Sequence, residues 1–456
     1  MNDSPLLASL RAQPRNLLHQ ETPSYGVGDG GSLSAMRLKS GEKIQFGEVF
    51  LPFSKSESNR ALMIAAYGGF PSDFQNLSDS NDTQVLIQAL NNSTRACHSE
   101  DFKGIDTLSP SSFGMTYLQN LKGIYARVVD VKDCGTAARF MTTYLACHEG
   151  TWLLTGTERM KQRPIKPLVD ALLALGADIQ YAENEGCLPL LIKGNQIVGG
   201  KAAVDMNQSS QFASSLLLAA PMLPQGLELE LLGDAASLPY LDMTIHMMRH
   251  FSAQVERRGR TVIVKPQPYQ EQPFVVEADW TAASYWYEMA AFSEECEIRL
   301  RGLSGPSTGS GTTSLQGDAI IAEWMKSFGV CTTPCDDGII LTKKPFERKK
   351  LSFDFTNCPD LYPTMAATCA GLQVEAEFTG IENLHHKESD RVESMRMELA
   401  KLGSQPLNFC GHNDHRVVMA LAPLALLYGP VSFDHPEVVR KSYPRFWDDA
   451  AFLLVR

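Results

Sequence analysis

One pattern of apolar and polar positions recurs along the chain. An amphipathic helix ends on a large apolar residue, a small residue follows, and a short strand-like run comes next. The small residues stand at intervals of roughly 75 positions and are Gly176, Ser252, Gly329 and Gly403. Glycine suits such a junction because the residue after the last helical turn often takes a left-handed conformation. The pattern therefore predicts four equivalent helix ends.

The regular spacing predicts a repeated unit of roughly 75 residues, and about six such units fit into the chain. Strand-like apolar runs at 188–192 and 261–265 follow two of the helices. A chance recurrence of helix–Gly–strand junctions, which are common in mixed folds, is the alternative. Because 456 residues exceed the size of one compact core, we expect two domains. The fold class that follows is α+β, built from repeated units of helices and strands.

Composition is that of an ordinary globular protein and excludes several classes of partner. The chain is 44% hydrophobic and 20% charged, which excludes wholesale disorder. Its 41 Lys and Arg residues against 52 Asp and Glu give a net charge of −11, so we expect no nucleic acid as a partner. No apolar run reaches the ~18 residues of a membrane helix, and the first residues lack the features of a secretion signal. We expect a cytoplasmic protein with no membrane partner, whose residues 1–35 form a flexible N-terminal extension.

Four short motifs place cations and hydroxyl groups at the starts of predicted helices. They begin at Leu51, Asp133, Thr155 and Asn207, and the Ser-Lys-Ser turn of the first leads into a helix expected to start near Glu57. Free backbone N–H groups at a helix start, with Lys, Arg and Ser beside them, suit phosphate or carboxylate. Each motif alone also fits ordinary helix capping. Four of them in an acidic chain favour an anionic small molecule as the ligand.

The C-terminal third supplies candidate acid–base groups. Asp360 stands at a predicted helix start, and the segment 386–391 opens another helix. The segment 410–416 opens a third helix and contains one Cys and two His residues, types that bind zinc. No second cluster of ligands accompanies them, so we expect no metal site.

The motifs occur in an order that is typical of one enzyme family. They are Ser54-Lys-Ser-x-Ser-Asn-Arg, Gly135-Thr-x-x-Arg, Arg159-Met-Lys-x-Arg-Pro-Ile, Ser209-Ser-Gln-Phe, Ser237-x-Pro-Tyr-x-Asp, Pro359-Asp, Lys387-Glu-x-Asp-Arg and Asn413-Asp-His-Arg. From about Leu51 to Phe446 the chain resembles the 5-enolpyruvylshikimate-3-phosphate synthases of the enolpyruvyl transferase family. The resemblance implies two similar domains, each of three repeated helix-and-strand units, arranged as an inside-out αβ barrel. Residues 54–276 would form one domain, which binds shikimate 3-phosphate, and residues 36–53 with 277–456 the other, which carries most of the acid–base groups.

The resemblance also implies the reaction. Such enzymes transfer the enolpyruvyl group of phosphoenolpyruvate to the 5-hydroxyl of shikimate 3-phosphate through a tetrahedral intermediate and release phosphate. The product leads to chorismate and the aromatic amino acids. Neither a metal nor a cofactor takes part, and we expect a monomer. Arginine suits both anionic substrates because it binds carboxylate and phosphate bidentately.

Matching positions of this chain would carry the family's site. Residues implied for shikimate 3-phosphate are Lys55, Ser56, Arg60, Ser209, Ser210, Gln211, Ser237, Asp360, Asn383 and Lys387. Residues implied for phosphoenolpyruvate are Lys55, Gly135, Arg163, Gln211, Arg391, Arg416 and Lys441. The catalytic residues implied are Asp360, Glu388, Lys387, Lys55 and His415. Asp360 would deprotonate or orient the attacking hydroxyl and Glu388 would pass a proton to the methylene carbon, although sequence alone does not assign the two carboxylates.

A few positions depart from the family pattern. Phe53 stands where the family usually has Gly, and Cys134 and Trp280 occupy places expected to be small or polar. The stretch 93–132 fits the family poorly. These departures affect the expected loop geometry more than the expected activity.

Two other functions stay open. A sister transferase that acts on a UDP-amino sugar would have Lys-Asn in the first loop and a reactive Cys loop, whereas here Ser56 follows the lysine. A non-catalytic descendant that binds phosphorylated metabolites would have lost Asp360, Glu388 or Lys387. All three are present.

Overall fold

The computed structural model describes residues 44–94, 118–121, 124–233, 237–304 and 314–454. The expected N-terminal extension, residues 1–35, lies outside them, as does much of the stretch 93–132.

Helices and strands alternate along the described residues. The α-helices are α1 (Lys55–Gly68), α2 (Asn81–Thr94), α3 (Gly135–Ala146), α4 (Lys166–Ala174), α5 (Ser210–Ala219), α6 (Leu238–His250), α7 (Trp280–Phe292), α8 (Ile321–Trp324), α9 (Tyr362–Gly371), α10 (Arg391–Leu399), α11 (His415–Leu421), α12 (Ala425–Tyr428) and α13 (Phe446–Leu454). The β-strands are β1 (Ile44–Phe50), β2 (Leu118–Leu121), β3 (Ile124–Asp130), β4 (Gly150–Thr155), β5 (Asp178–Tyr181), β6 (Leu190–Gly194), β7 (Gly200–Asp205), β8 (Leu227–Leu232), β9 (Val255–Arg258), β10 (Thr261–Val264), β11 (Cys296–Arg301), β12 (Val330–Cys335), β13 (Gly338–Lys343), β14 (Leu351–Asp354), β15 (Ala376–Thr379), β16 (Leu407–Phe409) and β17 (Val431–Phe433). Short 3₁₀ turns include Met325–Phe328, Pro359–Leu361 and Glu382–His386.

Three sheets have the same strand order. The orders are β3–β4–β6–β5, β7–β8–β10–β9 and β1–β11–β13–β12, and β2 extends the first sheet. In each of them the first two strands run parallel, and the last two form an antiparallel hairpin. Two further parallel pairs are β14–β15 and β16–β17. The recurring order confirms the predicted α+β class built from repeated units.

The alternation of side chains along one strand shows which face a sheet buries. In β8, Leu227, Leu229 and Leu231 are buried, whereas the residues between them are not. On β10, the facing Val264 and Val262 are buried as well. Successive side chains of a strand point to opposite faces, so these apolar residues lie on the core face of the sheet.

All four predicted helix ends have the left-handed backbone. Gly176, Ser252, Gly329 and Gly403 have φ of 94°, 71°, 79° and 95°. They follow α4, α6, the 3₁₀ turn Met325–Phe328 and α10, and they precede β5, β9, β12 and β16. The serine takes this conformation at a cost of about 1–2 kcal/mol relative to an ordinary helical one, which shows how strongly the junction requires it.

The apolar side chains form two separate large cores. One is built from residues 61–269, and the other from residues 49–51 with 278–450. We call residues 54–276 the first half and residues 44–53 with 277–454 the second half. The exact domain boundaries stay a prediction, which the two cores support. Within the described part of the chain, no helix is both long and apolar enough to cross a membrane.

The chain crosses between the halves twice, at adjacent places. Ser54 N donates to Glu277 O at 2.8 Å, and Asp279 N donates to Pro52 O at 2.8 Å. Phe53, where the family usually has Gly, lies in an isolated antiparallel bridge between these two crossings and is half-buried. The two crossings therefore form one short double connection.

Candidate active site

Helix starts from both halves converge on one cleft. The first residues of α1, α3, α5, α6, α10 and α11, or the residue just before them, lie in its wall. Free N–H groups and the helix dipole make a helix start electropositive. The cleft is therefore suited to anions.

Side-chain caps set where these helices begin. The Ser54 hydroxyl accepts a hydrogen bond from Glu57 N at 3.3 Å, so α1 starts at Lys55 rather than near Glu57. Ser209 and Asp414 cap α5 and α11 in the same way, accepting from a backbone N–H at 3.2 Å and 3.0 Å. Local capping thus fixes the residue at which each of these helices begins.

The structure brings the predicted site residues together. From the first half, the cleft wall contains Lys55, Ser56, Arg60, Gly135, Arg163, Ser209, Ser210, Gln211 and Ser237. From the second half, it contains Asp360, Asn383, Lys387, Glu388, Arg391, His415 and Arg416. Lys441 is not in the wall, but its Nζ lies 4.0 Å from Glu388 Oε1 and 3.4 Å from Asp82 Oδ1.

Arg391 stands at the centre of a buried network of charges. Its guanidinium donates to Asp360 Oδ1 at 2.7 Å, to Glu388 Oε2 at 2.9 Å and to Asp414 Oδ2 at 2.8 Å. Burial alone would lower the pKa of Arg391, but the three carboxylates raise that pKa above its usual value. Arg416 donates to the other Asp360 oxygen at 2.7 Å. Both arginines therefore stay charged and are held in a fixed geometry.

The same cations control the two candidate acid–base carboxylates. Burial would raise the pKa of Asp360, but Arg416 and Arg391 lower that pKa far below its usual range. For Glu388 the charges of Arg163 and Arg391 likewise outweigh burial and lower the pKa well below its usual value. Both groups are ionised at neutral pH. Each can accept a proton, and Glu388 becomes an acid only after it has taken one up.

Two further groups at the cleft have pKa values lowered by burial. Burial lowers the pKa of the Lys387 ammonium, against the attraction of Asp360. Burial and the charge of Arg416 lower the pKa of His415 well below its ordinary value, so the ring is neutral at neutral pH. Neither ring nitrogen of His415 has a hydrogen-bond partner among the described residues. A neutral imidazole can donate at one nitrogen and accept at the other.

The zinc-type residues of segment 410–416 do not gather around one point. His412 Nε2 lies 3.0 Å from Glu398 Oε1, whereas His415 belongs to the cleft wall. Across the described ranges, no group of three His, Cys, Asp or Glu side chains could hold a metal ion.

Arg60 forms a buried cation in the first-half wall. Its guanidinium donates to Thr244 Oγ1 at 2.7 Å, to Ser56 O at 2.9 Å and to Tyr240 O at 3.1 Å. Burial lowers the pKa of Arg60 to about 10, so it remains charged at neutral pH. These bonds fix a positive charge close to the starts of α1 and α6.

Gly135 leaves room for Arg163. A Cβ at this glycine would lie 2.8 Å from Arg163 Nη1, which in turn lies 3.6 Å from Glu388 Oε1. The preceding Cys134, at a place expected to be small or polar, is buried, and its Sγ accepts from Ala137 N at 3.3 Å. The thiol therefore acts as the cap of α3.

Sequence reasoning missed five residues of the cleft wall, namely Asp82, Thr136, Gln208, Tyr240 and Pro359. Four of them lie inside or next to the quoted motifs, so adjacency could have found them. Asp82 has no such signal. Its carboxylate lies 3.0 Å from Lys55 Nζ, and the charges of Lys441 and Lys55 outweigh burial and lower its pKa.

Comparisons with known proteins identify the family of this chain. A family profile described as EPSP synthase (3-phosphoshikimate 1-carboxyvinyltransferase) matches residues 39–450. A Bacteroides fragilis protein named 3-phosphoshikimate 1-carboxyvinyltransferase is 39% identical over 420 residues, which are 88% of this chain and 93% of the relative. A protein of the same name from Mannheimia haemolytica is 34% identical over 437 residues, 90% of this chain and 97% of the relative.

Solved structures share the fold. EPSP synthase from Acinetobacter baumannii superposes with a TM-score of 0.63 at 21% identity, covering 89% of this chain and 95% of that chain. The enolpyruvyl transferase NikO from Streptomyces tendae has a TM-score of 0.59 at 14% identity, covering 90% and 94%. These likenesses show the α+β enolpyruvyl transferase fold, and the family match extends over most of the sequence. The chain therefore belongs to the EPSP synthase family.

Proposed function

We propose that this chain transfers the enolpyruvyl group of phosphoenolpyruvate to the 5-hydroxyl of shikimate 3-phosphate and releases phosphate. One observation carries the proposal: cations from both halves surround two ionised carboxylates, Asp360 and Glu388, in a single cleft. Two anionic substrates require such positive charge, and addition followed by elimination requires groups that move protons. Membership of the EPSP synthase family supports the same reaction.

Shikimate 3-phosphate binds, in this proposal, mainly to the first-half wall. The hydroxyls of Ser209 and Ser210 meet the electropositive start of α5 there, and the buried Arg60 adds a fixed charge. Asn383 and Lys387 face the same cleft from the second half. The set supplies donors for a phosphate and for ring hydroxyls. The set is completed by Lys55, Ser56, Gln211, Ser237 and Asp360.

Phosphoenolpyruvate binds between the halves. Arg163 comes from the first half and Arg391 and Arg416 from the second, so the substrate is clamped from both sides. Lys55 lies in the same wall, and Lys441 stands just behind it. Because the ligands come from both halves, binding of this anion favours closure of the cleft.

The addition step moves two protons, one from a substrate to the enzyme and one from the enzyme to the other substrate. Asp360 accepts the proton of the 5-hydroxyl, whose oxygen bonds to the central carbon of phosphoenolpyruvate, while Glu388 delivers a proton to the methylene carbon. Glu388 starts ionised. A substrate anion that neutralises Arg163 and Arg391 raises the pKa of Glu388, so the carboxylate takes up a proton from solvent as the substrates bind and holds it for the transfer. The methylene carbon becomes a methyl group, and a tetrahedral intermediate forms.

Elimination reverses the proton transfer at that carbon. The bond from the central carbon to the phosphate oxygen breaks, the methyl group returns a proton to the Glu388 carboxylate, and the double bond re-forms. Lys387 and His415 support the developing charge from the same wall. Phosphate leaves with the electron pair of the broken bond, and the proton that Asp360 took from the hydroxyl passes to the leaving phosphate or to solvent.

A phosphate-release assay tests the proposal. The purified protein should release one phosphate per enolpyruvyl ether formed when both substrates are present, and none with either substrate alone. A UDP-amino sugar in place of shikimate 3-phosphate should give no release. Release of phosphate from phosphoenolpyruvate with the UDP-amino sugar as the acceptor, or without any acceptor, would overturn the proposed reaction.

We propose that a monomer suffices, with domains at 54–276 and at 36–53 with 277–456. Every residue assigned to the substrates comes from one chain, and the two separate cores support the division. Light scattering after size exclusion tests the monomer, and a smaller radius of gyration with both ligands bound tests the two-domain clamp.

A further inference from the structure

Arg159 reaches across from the first half and holds the backbone of the catalytic segment. Its Nη2 donates to Lys387 O at 2.8 Å, and its Nε donates to Glu388 O at 3.1 Å. The side chain is exposed and does not belong to the cleft wall. It therefore contacts the segment at the main chain, whereas the side chains of Lys387 and Glu388 face the cleft.

The loop that carries Arg159 is anchored firmly to its own half. Thr157 N donates to Lys132 O at 2.9 Å, and Arg139 Nη2 donates to Pro164 O at 2.7 Å. A Cβ on the loop's Gly156 would lie 2.5 Å from Lys132 O, so the two stretches of backbone are in close contact. The backbone that carries the Arg159 guanidinium is therefore held in place by its own half.

The segment that it holds has little regular structure of its own. Lys387 and Glu388 lie between the 3₁₀ turn Glu382–His386 and the start of α10, so neither carbonyl belongs to a helix or a sheet. Ser389 Oγ contacts Asp414 Oδ2 at 3.2 Å, which fixes the far end of the segment. The two carbonyls that Arg159 binds are those of the residues whose side chains carry the chemistry.

We propose that Arg159 is a positioning residue for enolpyruvyl transfer. By binding both carbonyls, its planar guanidinium orients the Lys387 ammonium and the Glu388 carboxylate toward the substrates. The inference rests on the proposed function and deepens it. Because both contacts cross between the halves, the residue acts on the closed complex with both substrates and hardly on the binding of shikimate 3-phosphate alone.

Three variants separate positioning from general loss of structure. Arg159→Ala removes both hydrogen bonds. Arg159→Lys keeps the positive charge but lacks the planar guanidinium whose N–H groups donate to two carbonyls at once. Lys161→Ala is the matched control, because this lysine lies two positions away and pairs with Glu158 and Glu183 of its own half, each at 3.2 Å.

We expect kcat to fall about 10- to 100-fold in Arg159→Ala, since small misplacement of reacting groups has effects of this size. Arg159→Lys should be intermediate, and Lys161→Ala should match the parent. Calorimetric affinity for shikimate 3-phosphate alone should not change. A merely structural role would weaken that affinity together with kcat.

Amide hydrogen exchange gives a second readout that does not need turnover. With shikimate 3-phosphate and an unreactive phosphoenolpyruvate mimic bound, residues 387–391 should exchange faster in Arg159→Ala than in the parent or Lys161→Ala. Parent-like kcat and exchange in Arg159→Ala would overturn the inference while leaving the transfer reaction intact. If the parent itself released no phosphate, the proposed function would fail, and exchange would still decide whether Arg159 orders the segment.

Discussion

Replacing Glu388 with Gln removes one negative charge from the cleft and keeps the size of the side chain. Glu388 Oε2 accepts from Arg391 at 2.9 Å, and Oε1 lies 3.6 Å from Arg163 Nη1 and 4.0 Å from Lys441 Nζ. The transfer must add a proton to the methylene carbon of phosphoenolpyruvate and later remove one. A carboxyl group can do both, whereas an amide can do neither.

The two consequences of this change differ greatly in size. Loss of a positioned acid–base group lowers the rate by about 10²- to 10⁴-fold, equivalent to about 3–5 kcal/mol of barrier. The folded state loses less, because Arg391 keeps Asp360 at 2.7 Å and Asp414 at 2.8 Å, and the amide oxygen can still accept from it. A weakened hydrogen bond to a charged group corresponds to about 1–2 kcal/mol of stability.

The assay follows turnover and proton transfer separately. In D₂O, with shikimate 3-phosphate present, the parent should place deuterium on the methylene carbon of phosphoenolpyruvate, and Glu388→Gln should do so far more slowly. Chemical denaturation and calorimetry should show that the variant folds and binds shikimate 3-phosphate.

Glu398→Gln is the matched control, because Glu398 is also buried but pairs with Lys401 and His412 away from the cleft wall. It should leave turnover unchanged. If Glu388→Gln exchanges deuterium and turns over within about tenfold of the parent, short of the loss expected for an acid–base group, Glu388 is not the proton carrier.

Three other variants test Arg416 and Gly135 of the site and the buried carboxyl group of Glu57. Arg416→Ala should weaken phosphoenolpyruvate by roughly 30- to 5000-fold, because it breaks a desolvated charge pair costing ~2–5 kcal/mol, and calorimetry should show shikimate 3-phosphate binding much less affected. Gly135→Ala should raise KM for phosphoenolpyruvate, because the new Cβ would lie 2.8 Å from Arg163 Nη1 and would displace that side chain. An unchanged KM would contradict this contact. Burial and the charge of Glu277 raise the pKa of Glu57 from 4.5 to about 8, so the folded state favours the protonated carboxyl group. The stability that this group contributes is complete below pH 4.5 and is lost as the pH rises through about 8. Glu57→Gln should remove up to about 4 kcal/mol of the difference between the free energies of unfolding at pH 5 and pH 9, measured by urea denaturation. The same difference in parent and variant would rule out this role.

The repeated units were predictable because their signal is local. A helix that ends at a left-handed residue and is followed by an apolar run depends on a few neighbouring positions, so Gly176 and Gly329 marked their junctions in the sequence. Even Ser252, which is not a glycine, was found by its place in the pattern. The capping residues Ser54 and Ser209 are equally local, since each acts on an amide within three positions.

The composition of the cleft was predictable from ordered motifs, but its electrostatics was not. Whether Asp360 is an acid or a base depends on Arg391 and Arg416 standing 2.7 Å from its oxygens, 31 and 56 positions away in the chain. Such pairs are made by packing of helices rather than by neighbouring residues. The pKa of each group therefore follows from tertiary distances.

The sequence by itself predicted the α+β class and the repeated units, favoured anionic ligands and, through its resemblance to one family, pointed to most residues in the cleft. Each of these depends on residue type and on spacing within one element or motif. Only the tertiary structure brought Asp82 to Lys55 and laid Arg159 on the carbonyls of Lys387 and Glu388. Those contacts join segments from 27 to 229 positions apart, and no local pattern specifies them. The Asp82–Lys55 pair forms when α2 packs against α1 within the first half, and the Arg159 contacts form only when the two halves meet.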